Sequence, residues 1–75
     1  MESINALITL GKSQIEKGHF HDALSSFEQA ILLDQKNPDL WNFKGIALRS
    51  LGRYNEAIVC FNKSLEIDPR DKNSS

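Results

Sequence analysis

Laid against itself, this sequence has one offset at which its landmarks coincide. Gly11 falls on Gly45, Gly18 on Gly52, Ala23 on Ala57, Phe27 on Phe61 and Asp34 on Asp68, every pair 34 residues apart. At the same offset Phe20 meets Tyr54, Asp22 meets Glu56, Leu24 meets Ile58 and Ile31 meets Leu65, so size and polarity persist where identity does not. The chain therefore reads as two copies of one unit, residues 4–37 and 38–71. A unit of this length is one supersecondary element that buries its apolar face only against a neighbour.

Inside each copy the apolar spacing is helical. Phe20, Ala23, Leu24, Phe27, Ala30 and Ile31 recur at i, i+3, i+4 and i+7, as do Tyr54, Ala57, Ile58, Phe61 and Leu65. These stretches are the second helices of the two units. The first helices run through Ile4, Leu7, Ile8, Gly11 and Ile15, and through Trp41, Gly45, Leu48 and Leu51. The expected fold is all-α, with four helices arranged as two helix-turn-helix hairpins.

The breaks between helices have chemical signatures. Gly18 and Gly52 stand where a first helix ends, and a residue without Cβ adopts the left-handed conformation that closes a helix C-terminus. Between the units Asn37 is a suitable N-cap and Pro38 a suitable first helical residue, while Pro69 lies where its ring stops the last helix. Gly11 and Gly45 fall within helices, where glycine costs about 1 kcal/mol relative to alanine. A close approach of the partner helix is the expected compensation, with Ala23 and Ala57 facing the glycines and Phe27 and Phe61 filling the wider gap one turn on.

The totals narrow the function. A chain of 75 residues is at most one small domain, and chains of this size bury only about 60% of their unfolded surface. The composition, 40% hydrophobic and 25% charged, is that of an ordinary globular chain, and no apolar run approaches the ~18 residues that a bilayer requires. Nine basic against ten acidic residues leave a net charge of −1, which disfavours nucleic acid and anionic membrane as partners. The start carries an acid early and lacks a basic-then-apolar leader, so a cytoplasmic location is expected.

Little in the chain resembles reaction chemistry. Cys60 is the single cysteine, which excludes an intrachain disulfide and a thiolate metal cage. A nucleophilic role for it needs a base and an orienting group that the spacing does not supply. His19 and His21 flank Phe20 in a polar turn and read as solvent-exposed rather than metal-ligating. There is no Gly-rich phosphate loop, HExxH or GxSxG, and the acids Glu16, Asp22, Glu28, Glu56 and Glu66 read as solvated helix faces. No catalytic residue, cofactor or metal is expected, and an enzyme is not.

The spacing resembles the tetratricopeptide repeat, a helix-turn-helix unit with the pattern W-x2-L-G-x2-Y, then A, F and P. In the second copy Trp41, Gly45, Tyr54, Ala57, Phe61 and Pro69 match, while Lys44 and Ser64 replace the pattern's leucine and later alanine. In the first copy Leu10, Gly11, Gly18, Phe20, Ala23, Phe27 and Ala30 fit, with Leu7 for the tryptophan and Gln35 for the proline. The resemblance covers nearly the whole chain apart from its first residues and a polar tail, residues 72–75. It implies a right-handed α-α superhelix and a non-enzymatic scaffold whose first helices line a concave groove for an extended or helical peptide.

Carried over position by position, the groove would comprise Asn5, Ile8, Lys12, Ile15 and Glu16 from the first unit, and Asp39, Asn42, Phe43, Ile46 and Arg49 from the second. One subset of the family clamps the C-terminal carboxylate of chaperone tails with Lys and Asn. Here Ile8 stands at that lysine's position and Lys12 and Phe43 at those of the asparagines, which argues against such a ligand.

Two repeats are fewer than such arrays generally contain, and no polar capping helix follows the second. Ile58, Phe61 and Leu65, with Val59 and Cys60 nearby, are therefore expected to form an uncovered edge. Its partner would be a second copy, docked or exchanging hairpins, in a homodimer that resembles a four-repeat array. A segment of a longer array and a complete small protein are both compatible with the chain.

Overall fold

The computed structural model describes residues 2–69 and contains α1 (Glu2–Glu16), α2 (Phe20–Leu33), α3 (Pro38–Ser50) and α4 (Tyr54–Ile67). The described residues include no strand. The helices pack in chain order, α1 on α2, α2 on α3 and α3 on α4, while α1 and α3 touch only along one edge. The polar tail at 72–75 lies outside the described residues.

The turn chemistry explains where each helix ends. Gly18 and Gly52 have φ of 80° and 82°, the only positive values among the described residues. After each glycine the chain turns back on itself. His19 N–H donates to the Gln14 carbonyl at 2.8 Å and Gly18 N–H to Ile15 at 3.0 Å. Arg53 and Gly52 repeat the pair on Leu48 and Arg49 at 2.9 and 3.0 Å. Orphan carbonyls of α1 and α3 are thereby satisfied, as a left-handed C-terminal residue permits. At the joint between the units Asn37 Oδ1 accepts from Asp39 N–H at 3.0 Å, with Pro38 at the first helical position.

The core centres on α2, which has a neighbour on each side. Ala23, Leu24, Phe27, Ala30 and Ile31 of α2 are buried, and Leu40, Ala47 and Leu48 close over them from α3. Phe27 is completely buried and stacks on Phe43, ring centroids 5.0 Å apart and planes 16° apart. Ser26, the other buried residue of α2, donates its hydroxyl to Gln14 Oε1 of α1 at 2.8 Å and so ties the first hairpin together.

The helical glycines are explained by close approach, but the approaching group differs from the one expected. A Cβ on Gly11 would stand 2.6 Å from Phe27 Cζ, and one on Gly45 would stand 2.5 Å from Phe61 Cε1. The rings lie edge-on against the backbone and occupy the space assigned from sequence to Ala23 and Ala57. An aromatic ring fills such a gap with more buried apolar area than a methyl, which offsets the helix propensity lost at glycine. The alanines are buried too, at 0% and 2% exposure.

Candidate functional site

The α1 and α3 helices run along the same side of the molecule because each begins its hairpin. Their edges create an open cleft of about 210 Å³ lined by Lys12, Ile15, Glu16, Phe43 and Ile46. Its floor is apolar and its rim carries one cation and one carboxylate. The ammonium of Lys12 sits 5.1 Å from the centroid of the Phe43 ring, an attraction of about 0.5–1 kcal/mol at an exposed site. Phe43 is half-buried and shared: one face supports Lys12, while its stacking on Phe27 anchors it to the core.

Asn5 and Ile8 lie further towards the start of α1. They line a larger cleft of about 480 Å³ whose other wall comes from Leu33, Asp34 and Asn37. Asp39, Asn42 and Arg49 line neither cleft. Asp39 is exposed in the first turn of α3, Asn42 is half-buried, and Arg49 is exposed with its guanidinium 5.9 Å from the Phe61 ring. The positions carried over from the family thus divide between two clefts and the flank of α3.

On the opposite end of the stack, Ile58 and Val59 are exposed to 55% and 65%, while Phe61 and Leu65 are half-buried. Phe61 owes its partial cover to Gly45 and Arg49. Cys60 is buried, and burial pushes its thiol pKa upward against the weaker opposing pull of Lys44. Such a sulfur is kept protonated and unreactive. His19 and His21 are exposed in the first turn, away from any cluster: no group of three His, Cys, Asp or Glu side chains suited to a metal occurs among the described residues. No described helix is long and apolar enough to cross a membrane.

A third cleft escaped the sequence reading. It measures about 610 Å³ and is lined by Ile31, Gln35, Lys36, Trp41, Lys63 and Ile67. The Trp41 indole N–H donates to the Gln35 carbonyl at 3.0 Å, and Lys44 and Lys63 hold their ammonium groups 5.6 and 6.0 Å from its rings. Lys44 also pairs with Glu28 at 3.5 Å. Ile31, Gln35, Trp41 and Lys44 stood out in the sequence only as helix and pattern positions; their meeting with Lys36 of the α2–α3 connection and Lys63 of α4 was not visible there. Nearby, Arg53 donates both a 2.8 Å Nε–H and a 2.8 Å Nη2–H bond to the Glu56 carboxylate, which lowers the Glu56 pKa and raises that of Arg53. The pair is exposed, so solvent screens it and it contributes little to stability.

Two family models, both described as Tetratricopeptide repeat, match the chain, one over residues 4–37 and the other over 38–71. The chain belongs to the tetratricopeptide-repeat family. This tetratricopeptide-repeat chain is 44% identical over 52 residues to an uncharacterized protein of Methanocaldococcus jannaschii, a match covering 69% of this chain and 60% of that protein. It is 32% identical over 63 residues to Superkiller protein 3 of Schizosaccharomyces pombe, covering 84% of this chain and 4% of that protein. The chain thus spans less than two thirds of the length of either relative. Tetratricopeptide repeats are in general protein–protein interaction modules, typically scaffolds rather than enzymes.

Proposed function

We propose that the α1–α3 side of this tetratricopeptide-repeat protein is a peptide-binding groove, and that the chain acts as a non-enzymatic scaffold for a protein segment. The observation that supports this reading is the cleft of Lys12, Ile15, Glu16, Phe43 and Ile46, where an apolar floor meets a lysine held over an aromatic ring. An apolar side chain of a peptide fits the floor, and an acidic neighbour in the peptide pairs with Lys12. The charge gives register more than affinity, because exposed ion pairs contribute little individually.

The test is selection of binders from a random-peptide display library, followed by NMR titration of the chain with a selected peptide. Shifts should concentrate at Lys12, Ile15, Glu16, Phe43 and Ile46. Ile46→Lys should weaken binding about tenfold or more, and Lys12→Glu by a smaller factor of about threefold. Peptides that bind both variants as tightly as the natural chain would sink the reading.

A second reading is self-association through α4. Its support is a difference between equivalent positions: Leu24 is 7% exposed in α2, whereas Ile58, 34 residues on, is 55% exposed in α4. An exposed apolar stripe on a helix that is buried in the sister repeat favours a partner there. Light scattering that gives 8.5 kDa at every concentration would remove this reading while leaving the peptide groove standing.

A further inference from the structure

The contact between α2 and α3 names the residues that join one repeat to the next. Phe43 stacks on Phe27, Lys44 pairs with Glu28, and Leu40 and Ala47, both fully buried, complete a stripe on α3 at spacing i, i+3, i+4 and i+7. The facing stripe on α2 is Leu24, Phe27, Glu28 and Ile31. The 34-residue period carries this contact onto the two ends of the molecule. On α4 the α2 stripe becomes Ile58, Phe61, Asn62 and Leu65; on α1 the α3 stripe becomes Ala6, Thr9, Leu10 and Ser13. Among the described residues, both end stripes lack the cover their counterparts have. Ile58 is 55% and Leu10 48% exposed, and Ala6, Thr9 and Asn62 are exposed as well.

We propose that α1 of one copy docks on α4 of another in the geometry that α3 adopts on α2, so that copies join head to tail. The proposal rests on the self-association reading above and adds which surface meets α4. The contact continues the series α1·α2, α2·α3 and α3·α4 already present in each chain, and its stripes are those that the 34-residue period sets in correspondence with the α2·α3 contact. Charge permits it. Glu28 and Lys44 are replaced by Asn62 and Leu10, so neither stripe carries a charge that docking would leave desolvated and unpaired. The α1 stripe is smaller than its α3 counterpart, with Ala6 for Leu40, Thr9 for Phe43 and Ser13 for Ala47. Less apolar area is buried than inside the chain, and the association is correspondingly weak and reversible.

Because the two stripes differ, the contact is heterologous. Each docked pair retains one free α1 and one free α4, and further copies add in series. The α1–α3 groove of one copy would then run on into α1 of the next. A symmetric pairing of two α4 helices has neither property.

Sedimentation and light scattering over a concentration range test this with two substitutions at exposed positions, Leu10→Lys on α1 and Ile58→Lys on α4. The natural chain should show a weight-average mass that climbs with concentration past twice 8.5 kDa. Each variant, with its helical circular dichroism unchanged, should self-associate about a hundredfold more weakly, because docking would bury an unpaired ammonium. Ala6→Lys gives an independent lesion on the same α1 stripe and should act alike. Mixed together, the Leu10→Lys and Ile58→Lys variants should form a one-to-one complex of twice 8.5 kDa and stop there. One junction is then wholly natural, and the other would set two introduced cations together. If Ile58→Lys abolishes association while Leu10→Lys and Ala6→Lys leave it intact, two α4 faces meet each other: self-association stands and head-to-tail docking is overturned. Variants that remain separate when mixed overturn it too, and a natural chain that stays monomeric overturns both readings.

Discussion

The two hairpins carry the same pattern at the same spacing, yet they are not equivalent. In the first, α2 lies between α1 and α3 and buries Ala23, Leu24, Ser26, Phe27, Ala30 and Ile31. In the second, α4 packs on α3 alone among the described helices and buries Ala57, Cys60 and Ser64. Phe27 is sealed while Phe61 is half-buried, and Leu24 is covered while Ile58 is open. Place in the stack, rather than residue type, decides what each side chain contributes, as expected where repeats are stabilised by their nearest neighbours.

Truncating the aromatic pair should separate the hairpins most widely. Phe27→Ala removes a sealed ring and should cost about 3–5 kcal/mol, enough to unfold a domain this small, whereas Phe61→Ala should cost about 1–3 kcal/mol. Urea melts of the two variants check this, and equal losses would break the comparison. Next in size is the pair Leu24→Ala and Ile58→Ala. The first should lose about 2–5 kcal/mol and the second should stay within about 0.5 kcal/mol of the natural chain, measured dilute enough to keep the molecules apart.

The helical glycines sharpen the contrast. Gly11→Ala drives a methyl into the ring of Phe27, which Phe43 and the core hold in place, so overpacking should outweigh the gain in helix propensity and destabilise by about 1–2 kcal/mol. Gly45→Ala meets Phe61, which has solvent on one side to move into, and thermal melts should show a loss under about 1 kcal/mol. The smallest effect has the opposite sign. Ser64 occupies in α4 the place of Ala30 in α2, and its hydroxyl is buried without a hydrogen-bond partner among the described residues. Ser64→Ala should raise stability by about 1 kcal/mol, visible as a higher Tm, by removing an unsatisfied polar group and improving helix propensity.

Much of the fold was legible before any coordinates. The period marked two units, the i, i+3, i+4 spacing marked four helices, and Gly18, Gly52 and the Asn37-Pro38 pair marked where the chain turns, because each of these is a local property of backbone and side chain. The cleft around Trp41 was not legible, since Lys36 of the α2–α3 connection and Lys63 and Ile67 of α4 meet around it only once α2 and α4 each pack against α3. Nor was the ring that fills the space at Gly11. Periodicity placed both Ala23 and Phe27 on the inner face of α2, and the choice between them depended on how deeply α1 settles onto it.

What the sequence by itself determined is therefore the repeat, its helices and its turns, which follow from conformational preference and apolar patterning within a few residues of each site. Which copy's phenylalanine is sealed, which leucine or isoleucine is left open, and which first-helix residues share a cleft were decided only by tertiary structure. Burial is a property of neighbours, and two segments with nearly the same pattern acquire different environments as soon as one has, among the described residues, a helix on both sides and the other on one.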